Sequence, residues 1–198
     1  MDLQIRNYKS TDLPHLYEIC LKTGDSGKDA TNIYRDPLLL GHFYSAPYAV
    51  FHPELTLILA SDDLPIGYII GTTSSTNFYE VTEKNWFKSL REKYPLPNDN
   101  DSSPDARIIR LIHKGHKPRK ELLAYPAHLH IDILPAGQGK GMGKQMVELF
   151  IKKLKELNVT GLHLEVGKRN SPAILFYEKI GFQNIAEFEY SIAFGLFL

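Results

Sequence analysis

Gln138-Gly139-Lys140-Gly141-Met142-Gly143 follows an apolar run with strand period, Leu129, Ile131, Ile133 and Leu134. It leads into a segment, Lys144–Leu157, whose apolar residues Met146, Val147, Phe150, Leu154 and Leu157 recur with helical period. Glycine at three of these six positions lets the backbone turn tightly and bring its N–H groups against a bulky anion. A helix starting there adds unpaired N–H donors and the positive end of its dipole. Strand, glycine loop and helix N-terminus together suit a pyrophosphate. The same turn also serves as a bare strand-to-helix connection, and the hexapeptide alone does not separate the two readings. Its spacing is neither G-x-x-x-x-G-K-[ST] nor G-x-G-x-x-G, and it falls late in the chain, which argues against a nucleoside triphosphate or a dinucleotide.

Further along, a second strand-like run, Gly161 to Val166, is followed by Asn170-Ser171-Pro172-Ala173-Ile174-Leu175-Phe176-Tyr177-Glu178-Lys179-Ile180-Gly181-Phe182. At this point the chain resembles the GNAT superfamily of acyl-CoA-dependent N-acetyltransferases. The resemblance rests on [QR]-x-x-G-x-G after a strand, Gln138 to Gly143, and on N-x-x-A-x-x-F-Y-x-x-x-G-F, Asn170 to Phe182, at the family's separation. It is carried by residues 128–182, and nearer the N-terminus only the order of elements agrees. A finer resemblance, in Thr23-Gly24-Asp25-Ser26-Gly27, Asp36-Pro37 and Tyr125-Pro126-Ala127-His128-Leu129-His130-Ile131-Asp132, is to bacterial relatives of the acetyltransferase-like domain of O-GlcNAcase. Some members of that group are pseudo-acetyltransferases without a proper coenzyme loop, whereas the loop here is complete.

The resemblance implies an α/β fold with a mixed, mostly antiparallel sheet of about seven strands, splayed between its two central strands and flanked by helices. It implies acetyl-CoA as cofactor, its pantetheine amides pairing with the backbone of Ile133, Leu134 and Pro135 as an added strand would. The pyrophosphate would be held by Gln138, Gly139, Lys140, Gly141, Met142, Gly143 and Lys144. Asn170 would bind the pantetheine arm, with Ala173 and Phe176 packed beside it, although Phe176 reads equally well as a core aromatic. Tyr177 would be the general acid at the sulfur, against the alternative of an aromatic that only packs. A backbone N–H near Leu134 would polarise the thioester carbonyl.

The proton acceptor has to be sought on the strands. In a strand over 128–134, His128, His130 and Asp132 share one face, and His163 shares a face with Glu165 on its neighbour. Asp132 is the first candidate base, His130 the second and Glu165 the third, and an adjacent His130–Asp132 pair would raise the imidazole pKa. Rival readings are a satisfied structural network and a metal site, but the spacing of these residues matches no usual zinc pattern and no metal is expected. Acidic and aromatic residues of the N-terminal part, Asp25, Asp29 and Tyr34, with Asp36, Tyr44 and Tyr48 beyond, suit a cationic amine acceptor. The expected activity is direct acetyl transfer from coenzyme A to a primary amine, on a small molecule or a protein, in a ternary complex. The alternative is a non-catalytic acetyl-CoA-binding module acting through a protein partner.

Composition bounds the rest. The chain has 198 residues, suited to a single domain, and 23 basic against 23 acidic side chains leave no net field to attract nucleic acid or an anionic membrane. One cysteine, Cys20, excludes an intrachain disulfide, and no long apolar run appears, so a cytoplasmic protein is expected. Helices are expected from a cap at Thr11 to near Gly24, around Pro37 to Tyr44, and over Glu80 to Tyr94. Leu55–Ala60 and Ile66–Thr73 read as strands around a turn, residues 95–106 as a mobile loop insert, and Arg107–Ile112 as apolar on alternate positions. The tail from Phe182 reads as closing strands, whose Phe194, Leu196, Phe197 and Leu198 would cover the chain's own sheet edge or that of a second copy in a homodimer.

Overall fold

The computed structural model describes residues 2–198. Its order of elements is β1 (Leu3–Asn7), α1 (Leu13–Thr23), α2 (Leu39–Tyr44), α3 (Ala46–Phe51), β2 (Leu57–Ser61), β3 (Leu64–Thr72), α4 (Ser75–Thr82), α5 (Lys88–Lys93) and α6 (Pro104–Lys114). There follow β4 (Ala127–Ile133), α7 (Met142–Glu156), β5 (Gly161–Gly167), α8 (Ser171–Lys179), β6 (Gln183–Glu187) and β7 (Ser191–Phe197). The strands form one seven-stranded sheet in the order β1-β2-β3-β4-β5-β7-β6. Every pairing is antiparallel except that of β4 with β5.

Alternation along the strands builds a core on each face. Ile58, Ala60, Tyr68 and Ile70 meet Leu16, Ile19, Phe43, Phe78 and Phe87 from the helices before β4. Leu57, Leu59, Ile69 and Leu129 meet Met146, Val147, Phe150 and Tyr177 of α7 and α8. The β2–β3 register shifts between Leu59 and Ala60, leaving Ile66 as a bulged residue that stays with the second core. Gly71 is required where α7 crosses the sheet, since a Cβ there would lie 2.2 Å from the His128 carbonyl and 2.6 Å from the Phe150 ring.

Several sequence expectations are corrected. Thr11 is exposed and caps nothing; Asp12 stands at that helix start, accepting the Lys9 N–H at 2.8 Å and N–H bonds from both terminal nitrogens of the Arg6 guanidinium at 2.7 and 2.8 Å. The helix expected from Glu80 begins at Ser75, where Ser74 accepts the Asn77 N–H, and a π-helical turn over Glu83–Phe87 rotates Phe87 into the core. Arg107–Ile112 belongs to α6, which starts at Pro104 behind a Ser103 cap, inside the stretch read as a loop insert. The connection before it is fastened by Arg110, which donates to the carbonyls of Asn98 and Asp101 at 2.7 and 2.8 Å. The closing tail covers its own sheet, β7 lying between β5 and β6 rather than at an edge.

Candidate functional site

Helix α7 starts behind two glycines with left-handed backbone, Gly139 (φ 71°) and Gly141 (φ 76°), a region that residues with a Cβ enter at a cost. Its first turn closes with Gln145 N–H on the Gly141 carbonyl, so the N–H groups of Met142, Gly143 and Lys144 precede the ladder and lack intrahelical acceptors. No atom lies within 4 Å of where a Cβ on Gly139 or Gly141 would sit, so the loop faces open space. Gln138 is exposed but folds back on the chain: its Nε2 donates to the Ile133 carbonyl at 2.7 Å and ties the loop to the end of β4. Lys140 Nζ donates to the Ala136 carbonyl at 3.0 Å, and Lys144 pairs with Glu148 at 3.7 Å.

The loop opens onto a gap between β4 and β5. The two strands pair only at Ala127 with Leu162 and His128 with His163, and diverge beyond. Leu134 N–H donates to the Ile66 carbonyl at 2.8 Å, which sets the alternation of β4: His128, His130 and Asp132 turn their backbone groups to β3, and Leu129, Ile131 and Ile133 turn theirs to the gap. Of the three residues expected to pair with a pantetheine arm, only Ile133 therefore faces it. The Leu134 N–H is already used, so it is not the carbonyl-polarising donor the sequence suggested; proline offers no N–H, and the Leu134 and Pro135 carbonyls accept from Gly137 and Gln138.

Helix α8 forms the other wall. Asn170 caps it, Oδ1 accepting the Ala173 N–H at 3.3 Å, while its Nδ2 lies beside Gly27 in the turn after α1. Phe176 is half-buried and packs toward Gly143 at the start of α7, about 3.5 Å from where a Cβ there would sit. Tyr177 is buried among Phe176, Phe182 and Phe194. Burial, and secondarily the Asp132 carboxylate, push its phenol well above the ordinary value. Its hydroxyl has no hydrogen-bond partner among the described residues and is not sealed from solvent.

On the helical side of β4 lies a cleft of about 850 Å³ lined by Phe43, Tyr44, Tyr48, Tyr79, His116, His128, His130, His163 and Glu165, with Lys114, Lys117, Arg119 and Lys120 at its rim. Tyr48 Oη lies 2.7 Å from His128 Nε2 and 3.1 Å from His130 Nε2, and His128 Nδ1 lies 2.7 Å from Ser75 Oγ. His163 Nδ1 meets the Tyr125 carbonyl at 2.7 Å. Burial lowers the pKa of all these imidazoles, His130 and His116 to about 4, so the cleft is lined by neutral rings. The expected His130–Asp132 pair is absent. Asp132 accepts from Tyr68 Oη instead, within reach of Thr23 and Cys20, and burial raises its pKa. His130 bonds Tyr48 and titrates below, not above, its usual range. Glu165 accepts from Ser191 at 2.9 Å and pairs with Arg119 at 3.4 Å. Among the described residues no three His, Cys, Asp or Glu side chains are arranged to hold a metal ion.

The acceptor side differs most from expectation. Asp25 turns to Arg169 at 3.6 Å, Asp29 closes a local turn on Thr31 at 2.8 Å, and Tyr34 packs half-buried on the first core; none lines the cleft. Tyr44 and Tyr48, the aromatics expected beyond them, do line it, and Tyr79 and His116, which were not expected there, join them. His116 sits in sequence among Lys114, Lys117, Arg119 and Lys120, all exposed, yet its ring stacks on Tyr79 at 5.0 Å and packs on Phe43 at 4.3 Å. No periodicity in the sequence marks it.

The acetyltransferase (GNAT) family model matches residues 28–182. Protein O-GlcNAcase of Rattus norvegicus is 26% identical over 188 residues, 93% of this chain and 20% of that protein, so the chain spans a fifth of that relative's length. The [ribosomal protein bS18]-alanine N-acetyltransferase of Salmonella typhimurium is 29% identical over 126 residues, 63% of this chain and 78% of that enzyme. The crystal structure of SsHAT superposes with a TM-score of 0.93 at 33% identity, covering 100% of this chain and 98% of that one. The PaiA N-acetyltransferase of Thermoplasma acidophilum, solved in complex with coenzyme A, has a TM-score of 0.63 at 16% identity over 100% of both chains, a likeness of fold. The splayed sheet, the glycine loop at the mouth of its gap and the extent of the family match agree: the chain belongs to the acetyltransferase (GNAT) family.

Proposed function

We propose that the protein is an acetyl-CoA-dependent N-acetyltransferase that passes the acetyl group directly to a primary amine in a ternary complex. The observation that carries this reading is the divergence of β4 from β5 with the glycine loop and the start of α7 at its mouth. The free N–H groups of Met142, Gly143 and Lys144, in a loop kept open by Gly139 and Gly141, suit the pyrophosphate. Backbone groups of Ile131 and Ile133 suit the pantetheine amides, and whichever N–H stays unpaired beside the thioester polarises its carbonyl. The Asn170 amide nitrogen remains available to the pantetheine arm. Tyr177 offers its proton to the departing sulfur.

The acceptor enters the cleft of neutral rings. An ammonium loses hydration there, and Glu165, a carboxylate in the lining, is already paired with Arg119, so the cleft favours the neutral amine, the form that attacks a thioester. Protein lysines or N-termini fit its size and open rim as well as small amines do, and the bS18-alanine enzymes among the relatives make a protein amine the first choice to assay.

Calorimetric titration of the wild type and of Gly141→Glu with acetyl-CoA and with CoA tests the reading. Micromolar binding by the wild type, lost in the variant, is the expected result. Absence of wild-type binding sinks it, and binding without thiol release on any amine leaves a non-catalytic coenzyme module.

A further inference from the structure

His130 is one of four imidazoles in the cleft, and the hydrogen bonds behind it run in one direction. Ser75 Oγ lies 2.8 Å from the Pro126 carbonyl, which can only accept, so the serine proton points there. With its proton committed, Ser75 Oγ accepts from His128 Nδ1, 2.7 Å away, and that nitrogen carries the hydrogen. A neutral His128 then has a bare Nε2, which accepts the Tyr48 hydroxyl proton at 2.7 Å. The Tyr48 oxygen in turn accepts from His130 Nε2 at 3.1 Å. His130 is therefore the Nε2–H tautomer, and its Nδ1 carries a lone pair. That nitrogen has no partner among the described residues and is not an enclosed atom, so it opens on the cleft. The chain is rigid: Tyr48 is 1% exposed and stacks on Phe78 with ring centroids 4.2 Å apart.

We propose, on the acetyl-transfer reading above, that His130 Nδ1 takes the proton from the attacking amine, and that Tyr48, His128 and Ser75 are positioning residues that hold it in the tautomer this requires. The neutral amine donates an N–H to Nδ1, which aims its lone pair at the thioester carbon. As the C–N bond forms, the nitrogen becomes positively charged and strongly acidic, and its proton passes to Nδ1. The C–S bond then breaks and the sulfur takes the Tyr177 proton. His130 returns its proton to solvent through the open cleft, Tyr177 recovers one from solvent, and amide and free thiol are the only products. A histidine of depressed pKa suits this order of events, since it stays unprotonated while the amine binds and accepts only once the bond is forming.

Nitrogen-15 NMR of the histidine rings in the intact protein at neutral pH reads the tautomers directly. The expected spectrum has an unprotonated Nδ1 and protonated Nε2 on His130, and the reverse on His128. In a thiol-release assay with acetyl-CoA and peptides bearing lysine or an N-terminal alanine, His130→Gln is expected to lower kcat about 100-fold. Tyr48→Phe, which keeps the ring stack, is expected to lower kcat about tenfold with KM and acetyl-CoA affinity unchanged, while the His130 spectrum shifts to mixed tautomers. A protonated Nδ1 on wild-type His130, or full kcat in His130→Gln, overturns the proposal. A wild type that binds acetyl-CoA but releases no thiol with any peptide overturns the transfer reading and the proton-acceptor role together. An active wild type with an indifferent His130→Gln overturns the role alone.

Discussion

Tyr177 and Asp12 are both ionisable and buried, and their surroundings drive them to opposite protonation states. Tyr177 has no hydrogen-bond partner for its hydroxyl among the described residues and packs in the second core, so burial, with the Asp132 charge behind it, keeps the phenol protonated across the working range. Tyr177→Phe preserves the ring contacts and removes that proton. It is expected to lower kcat about 100-fold while leaving acetyl-CoA affinity unchanged, as steady-state kinetics beside calorimetry would read. For Asp12, burial alone would raise the pKa, but the Arg6 fork and the Lys9 N–H outweigh it and the net shift is downward. Its folded pKa thus lies below the unfolded value near 3.9, so its contribution is complete above about pH 4 and disappears as pH falls through the folded value. Asp12→Asn is expected to cost about 3 kcal/mol at pH 7, by urea unfolding, and the gap from wild type should close as the pH falls through the lowered folded pKa. A gap that persisted there would refute the ionic origin. The sequence marked Tyr177 through its motif and Asp132 and His130 through alternation on β4. Their partners were hidden: Tyr48, Tyr68 and Ser75 sit far away in the chain and meet β4 only through folding.

At the level of elements, β4 carries the argument. Its apolar alternation and the glycines after it were readable, and both strand and helix form there. Helix α6 was not: Arg107 and Arg110 stand three apart among Ile108, Ile109, Leu111 and Ile112, a helical spacing that six residues are too few to separate from a strand. The π-helical turn and the bulge at Ile66 were also invisible, since each is a one-residue adjustment made by packing rather than by local preference. The two faces of β4 have measurable consequences. Amides of His130 and Asp132 lie in the ladder with β3, whereas the Ile131 amide faces the open gap. In hydrogen exchange Ile131 is expected to be the fast amide of the three in the free protein and to slow at least tenfold with saturating acetyl-CoA, the other two changing little. Equal protection of all three without ligand would mean that the gap is closed. On the neighbouring strand, Gly71→Ala is expected to destabilise by about 3 kcal/mol in chemical denaturation, because the added methyl meets a backbone oxygen that cannot move without breaking the sheet.

For the molecule as a whole, the sheet joins two cores, yet at its centre β4 and β5 are held by only two residue pairs before they part. The polypeptide past that point is tied across the gap by side chains, not by a ladder. A ligand in the gap therefore supplies contacts to both halves that the free protein lacks, and it binds the folded form alone. Such a ligand stabilises by about 2.7 kcal/mol at 100 times its Kd. For a chain of this size each kcal/mol moves Tm by roughly 2–4 °C, so acetyl-CoA at that concentration is expected to raise Tm by roughly 5–10 °C in a calorimetric scan. Free CoA should do nearly the same, because on the proposed reading most of the contacts would be to the pantetheine and pyrophosphate. Gly141→Glu should melt close to the wild type without ligand, its side chain having open space, apart from the ~1 kcal/mol cost of left-handed backbone. It should show no ligand-dependent rise, because the carboxylate stands where the pyrophosphate would lie. A full rise in that variant would place the coenzyme elsewhere than at the start of α7.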